Sequence, residues 1–144
     1  MQAGITTEFE TTEFAGLDTR IVNSGESPFT VLDMTIKPGF GAPAHISPTE
    51  DKLFIVITGR VKYLVGEDLH VAEPGARIQV PKGVIHGFTN VGDADARHIL
   101  ISTPRRHEEF FRALHQIPQP REQHMDMLPE IAARNDQEIV GPLP

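Results

Sequence analysis

Four polar residues sit in or beside short apolar runs where their chemistry would be unusual: His45, Ser47, Lys52 and His86. On an extended chain alternate side chains share a face, so His45 pairs with Ser47, Lys52 with Phe54 and Val56, and His86 with Phe88. Imidazoles take up or hold protons near neutral pH. A lysine removed from water is destabilised in its charged form, and more so beside an imidazolium, unless an acid such as Glu50 or Asp51 pairs with it. Such an amine can act as a general base, donate to a developing oxyanion, or attack a carbonyl. Ser47 can orient a ligand or relay a proton, but no Gly-x-Ser-x-Gly elbow marks it as a nucleophile.

Other polar residues carry blander expectations. Asn90 reads as a turn residue whose amide satisfies nearby backbone groups. Arg77 and Gln79 alternate with Ile78 and Val80 and are expected to face solvent. His70, His98, His107, His115 and His124 form no tract and are expected at the surface or in packing. Tyr63 can reach a ligand with its hydroxyl, while Phe40, Phe54 and Phe88 suit core or apolar wall.

Composition narrows the function. Thirteen Lys and Arg against twenty Asp and Glu leave a formal charge of −7, which disfavours nucleic acid and anionic membrane surfaces as partners. The absence of cysteine removes thiolate ligands, thiol nucleophiles and disulfides, so any metal would rely on nitrogen and oxygen. The N-terminal stretch Met1–Glu10 lacks the basic start and apolar run of a secretory signal, and no stretch is long enough to span a bilayer, so cytoplasmic residence is expected. No dinucleotide-binding, Walker-type, His-Glu-x-x-His or EF-hand pattern occurs.

The elements that must position these residues are short strands. With 144 residues the chain suits one domain, and its twelve Gly and twelve Pro punctuate short apolar runs. Strands are expected at Arg20–Asn23, Phe29–Ile36, Lys52–Thr58, Arg60–Val65, Leu69–Ala72, Arg77–Val80, Ile85–Asn90 and Arg97–Thr103. After Pro104, the spacing of Phe110, Phe111, Leu114 and Ile117 predicts a helix against the strands. Two shorter helical pieces are expected at Arg121–Met127 and Glu130–Asn135, and Ile139–Pro144 reads as an extended tail across the strands. A strand-rich body over about residues 20–103 and a helical extension over about 104–144 make up the single domain 1–144.

The run from Gly75 to Asn90 places Gly75, Pro81, Gly83, His86 and Asn90 at the spacing Gly, five residues, Pro, one, Gly, two, His, three, Asn. It resembles the second motif of the cupins. Gly39, His45, Ser47, Lys52 and Gly59 fall where the first cupin motif has Gly, His, His, Glu and Gly. The C-terminal part, from Glu108-Glu109-Phe110-Phe111 through Ala132-Ala133-Arg134 to Gly141-Pro142, is similar to small bacterial cupins of the quercetin dioxygenase-like type. The resemblance implies an all-β cupin jelly-roll barrel with short C-terminal helices, and places His45, Ser47, Lys52 and His86 around one cavity. Two of the four metal-ligand positions of the family then hold Ser47 and Lys52.

The leading expectation is a metal-independent enzyme without a cofactor, an isomerase, cyclase or lyase acting on a small apolar or carbonyl-bearing molecule. His45, Lys52 and His86 would be catalytic, and Ser47, Phe54, Tyr63 and Phe88 would bind substrate. One alternative is a mononuclear metal-dependent dioxygenase. It requires a one-residue slip that turns Lys52 to water and Glu50 or Asp51 inward, with His45, His86 and Glu50 as one possible ligand set. A second is a non-catalytic small-molecule binder. The resemblance also implies a homodimer, with the alternating segment Ile5–Phe14 suited to strand exchange.

Overall fold

The chain opens with a tight hairpin, and the reason is local. β1 (Glu10–Phe14) and β2 (Leu17–Ile21) pair antiparallel across Ala15 and Gly16, which both have positive φ, 45° and 76°. That conformation matches the twist of the flanking strands in a two-residue loop. A Cβ on Gly16 would also lie 2.3 Å from the Phe40 ring, so only glycine fits. The computed structural model describes residues 1–144.

Nine more strands follow: β3 (Thr30–Ile36), β4 (Gly41–Ile46), β5 (Asp51–Thr58), β6 (Val61–Val65), β7 (Asp68–Ala72), β8 (Arg77–Val80), β9 (His86–Asn90), β10 (Ala96–Thr103) and β11 (Glu138–Gly141). They form two sheets, ordered β1-β2-β3-β10-β5-β8 and β11-β4-β9-β6-β7. This is the all-β jelly-roll architecture. Strand β10 lies between β3 and β5, and its inward residues alternate strictly: Ala96, His98, Leu100 and Ser102 are buried. Leu32, Met34 and Ile36 on β3 and Phe54 and Val56 on β5 do the same, filling the space between the sheets. Burying each such side chain stabilises the fold by roughly 1.5–3 kcal/mol.

Helix α1 (His107–His115) packs its buried face, His107, Phe111 and Leu114, onto the mouth of the barrel. Its first turn is fixed by a buried carboxylate. Glu108 accepts hydrogen bonds from Thr30 Oγ1 at 2.6 Å, Asn23 Nδ2 at 2.8 Å and Arg105 Nη1 at 3.2 Å. Two short 3-10 turns and α2 (Leu128–Arg134) lead to β11, which adds to the edge of the second sheet beside β4, with Ile139 opposite His45. The end of the chain is thereby stitched to the site.

Eight expected strands are present within two or three residues; β1, β4 and β11 are additional. Strand structure begins at Glu10, ahead of the expected start of the barrel, and returns at β11 after the helices. Of the segment suited to strand exchange, Glu10–Phe14 pairs with β2 of its own chain. Arg77 and Gln79 face solvent, and Asn90 donates to Ile36 O and Ala94 O while accepting from Gly92 N, as a turn residue should. No helix is long and apolar enough to cross a membrane.

Candidate functional site

Pairing of β4 with β9 sets His45 directly opposite His86, their ring centroids 4.1 Å apart. The register shifts between Ala42 and His45, an interval that contains Pro43, which has no N–H to give to the ladder. Close approach of these strands requires Gly41, because a Cβ there would lie 1.9 Å from Phe88 O. Each imidazole is held by a backbone carbonyl two residues upstream: His45 Nδ1 lies 2.7 Å from Pro43 O and His86 Nδ1 lies 2.9 Å from Val84 O. In both neutral rings Nδ1 therefore carries the proton and Nε2 is the acceptor. Burial, reinforced by the nearby Lys52 charge, lowers His45 to about 3 and His86 to about 2, so both are neutral at physiological pH.

Lys52 points into the barrel and is only 4% exposed. Its Nζ lies 3.1 Å from His86 Nε2 and 2.9 Å from Gln137 Oε1. Since His86 Nε2 is an acceptor, Lys52 donates to both. Gln137 Oε1 also accepts from Ser47 Oγ at 2.8 Å. The other end of the same amide, Nε2, lies 3.5 Å from Glu50 Oε1 and 3.4 Å from His107 Nδ1. Lys52 and Glu50 form no direct ion pair; an amide stands between them.

Burial pushes the Lys52 amine down, with Glu50 and Asp136 opposing, and pushes the Glu50 carboxyl up, with Lys52 opposing. Both shifts disfavour two separated charges in a dry interior. Glu50 is bound by Ser102 Oγ at 3.1 Å and lies 3.4 Å from His107 Nδ1, while its Oε2 has no hydrogen-bond partner and lies 3.6 Å from Arg106 Nε. Burial holds His107 neutral as well, so its 3.4 Å approach to Glu50 is not an ion pair, and its Nδ1 lies within reach of the Gln137 amide nitrogen as an acceptor.

The inward Lys52 and the inward Glu50 are not alternatives, because both are buried. Glu50 lies two residues before Lys52 with the exposed Asp51 between them, so the alternation of the extended chain carries both to the same buried face. Its carboxylate turns toward Ser102, Arg106 and His107, away from the pair of imidazoles. No three His, Asp or Glu side chains come together as metal ligands do.

Next to this network lies a cavity with about 80 Å³ of space that the centre of a water molecule can occupy. His45, Lys52, Gln137 and His107 form its polar end. Phe14, Leu17, Phe54 and Phe88 of the strands and Phe110, Phe111, Leu114 and Leu128 of the helices form an apolar wall. Of the residues expected at the site, His45, Lys52, Phe54 and Phe88 line it. His86 and Ser47 stand behind the wall, bonded to Lys52 and Gln137. Tyr63 does not line it but packs in the core against Phe54 and Phe88, its hydroxyl 2.7 Å from His98 Nδ1.

Two residues of the polar end escaped sequence reasoning. His107 belongs to the i, i+4, i+7 face of α1 with Phe111 and Leu114, a visible signal that it turns inward. Gln137 carries no local signal, since it lies in the connection between α2 and β11.

A family model described as a cupin domain matches residues 32–102. Among solved structures, a sugar phosphate isomerase of the cupin superfamily from Silicibacter pomeroyi is 24% identical over 63% of this chain and 61% of its own, with a TM-score of 0.59. The chain spans less than two thirds of that protein. KdgF from Halomonas sp. is 19% identical over 71% of this chain and 90% of its own, with a TM-score of 0.62. An RmlC-like cupin from Shewanella frigidimarina is 18% identical over 70% of this chain and 88% of its own, also with a TM-score of 0.62. At these identities the likeness is one of fold. No curated protein gave a significant match.

Proposed function

Given that the chain is a small cupin, by its domain at residues 32–102 and its two-sheet barrel, we propose that the cavity is the active site of a metal-independent acid/base enzyme. The reaction class is isomerisation, cyclisation or elimination on a small carbonyl-bearing substrate with an apolar body. One observation carries this reading: Lys52 Nζ, buried at the polar end of an otherwise apolar cavity, is held by Gln137 Oε1 and His86 Nε2 and by no carboxylate.

Lys52 is the proton acceptor, and in its protonated form it stabilises an enolate oxygen. His45 Nε2, which makes no hydrogen bond within the chain, accepts from a substrate hydroxyl. The phenylalanines exclude water, strengthening each polar contact at the other end.

The cupin fold commonly implies a transition metal, and the residues here do not fit one. The amine of Lys52 occupies the acceptor nitrogen of His86, and the buried carboxylate nearby, Glu50, has Oε1 bound by Ser102 and Oε2 facing the Arg106 guanidinium rather than the imidazole pair. No step is assigned to a metal. A sugar phosphate, the substrate class in the name of one structural neighbour, also matches poorly, since this wall is apolar and its one cationic side chain is Lys52.

The test is solvent deuterium incorporation, followed by NMR, into small ketones and aldehydes with apolar tails. Chelator-treated protein should accelerate exchange next to the carbonyl, and Lys52→Met should lose roughly 10²-fold or more of that acceleration. Acceleration that appears only on adding a divalent metal would overturn the reading. Thermal stabilisation by the same compounds without exchange would reduce the cavity to a binding site.

A further inference from the structure

We propose that Lys52 captures aldehydes covalently as a reversible imine, making the cavity a carbonyl-trapping site for aldehydes with a short apolar tail. The inference deepens the acid/base reading, since it rests on the same cavity being open to carbonyl ligands.

Valence fixes where the lone pair of Lys52 points. A neutral lysine amine has two N–H donors and one lone pair. Both donors have fixed acceptors, Gln137 Oε1 at 2.9 Å and His86 Nε2 at 3.1 Å. His86 Nε2 is obliged to accept because its Nδ1 donates to Val84 O. The remaining tetrahedral position of Nζ is left to the cavity that Lys52 lines. In an ammonium that position would hold a third N–H without a carboxylate in contact, at the edge of a mostly apolar cavity; in the free amine it holds a nucleophilic lone pair. Burial favours the free amine.

The steps balance without an added reagent. The Nζ lone pair bonds to the carbonyl carbon, and the C=O π electrons move to oxygen, which takes the proton that nitrogen releases. The resulting carbinolamine expels its hydroxyl as water, using a second proton from nitrogen, and leaves a C=N bond. His45 Nε2, without a partner in the chain, is placed at the cavity to carry these protons. The aldehyde tail lies against Phe54, Phe88 and Phe111.

Incubation of the intact protein with hexanal and cyanoborohydride at pH 7, followed by peptide mass mapping, tests the proposal. Lys52 should carry the hexyl adduct in roughly tenfold or greater excess over the exposed Lys37 and Lys82, the factor that one unit of pKa represents. Lys52→Met should remove that adduct and leave the surface background. Adducts on Lys37 and Lys82 with Lys52 unmodified would overturn the proposal. The wild-type map decides this even if the variant does not fold. Deuterium exchange without an adduct would sink the imine and leave the acid/base reading. An adduct without exchange would sustain the imine and sink that reading.

Discussion

Gln137 Oε1 sits 2.9 Å from Lys52 Nζ, while the amide's nitrogen faces Glu50 Oε1 at 3.5 Å. One side chain from the last strand connection keeps a buried amine and a buried acid from meeting. The amide therefore decides how much charge Lys52 can hold, although it comes from outside the family's two motifs.

Replacing that amide separates its two effects. Gln137→Glu would place an anion against Nζ, stabilise the ammonium and raise the amine's pKa, so hexanal capture at pH 7 should fall and recover at higher pH. Gln137→Leu leaves Lys52, Ser47 and Glu50 each short of a partner, at about 1–3 kcal/mol for every buried polar group stranded. Urea denaturation should show that loss in the leucine variant. Equal capture by the wild type and Gln137→Glu across pH would deny the amide its role.

A carboxylate at position 52 should restore what the chain's motif resemblance would otherwise imply. Lys52→Glu places an anionic oxygen beside His86 Nε2 and next to His45, a two-histidine, one-carboxylate set. Divalent nickel or zinc should then raise the melting temperature, with about 2.7 kcal/mol of stabilisation at a hundredfold excess over Kd. The wild type should show no such rise. An unchanged melting temperature in the variant would mean that the imidazoles are not placed to share an ion.

Strands with strict alternation are legible in the residue pattern alone: β3, β5 and β10 announce their buried faces through Leu32, Met34, Ile36, Phe54, Val56, Leu100 and their spacing. β4 hides behind Gly41 and Pro43, β1 is mostly polar, and β11 is a strand chiefly because β4 offers it an edge. At the site, His45, Lys52 and His86 are readable from motif spacing. Glu50 is an alternative to Lys52 only if one of them has to face water, whereas residues two apart share a face and here both turn inward around the exposed Asp51. Gln137 lies 90 residues from Ser47 and 85 from Lys52, and such a contact exists only after the helices fold back.

Acid should destabilise the protein well above the ordinary range of carboxylate titration. His45, His86, His98 and His107 are all buried and lowered from 6.5, His45 and His98 to about 3. Between those values the unfolded chain binds protons that the folded chain refuses, so the histidines' contribution to stability is full above pH 6.5 and is lost as pH drops toward 3. Each such histidine contributes a slope of about 1.4 kcal/mol per pH unit once the unfolded form is protonated. Glu50, raised from 4.5, works in the opposite sense above that pH, but it is one group against four. The urea midpoint should therefore fall steeply from pH 7 to pH 4.5; a flat midpoint over that interval would mean that these imidazoles accept protons in place.

Two adjacent carboxylates on α1 should differ sharply in worth. Glu108 is 1% exposed and bound by Thr30, Asn23 and Arg105, while Glu109 meets Arg112 at the surface. Glu108→Ala strands Thr30, which is fully buried, and should lower stability by about 3 kcal/mol. Glu109→Ala should change it by less than about 0.5 kcal/mol, as surface pairs do. The difference reaches function because α1 carries His107, Phe110, Phe111 and Leu114 into the cavity wall. Loosening its first turn should admit bulkier aldehydes to Lys52, so Glu108→Ala at moderate temperature should narrow the preference between hexanal and a branched aldehyde while Glu109→Ala leaves it alone. Equal stability losses in the two variants, measured by urea denaturation, would show that the buried carboxylate does not anchor the helix.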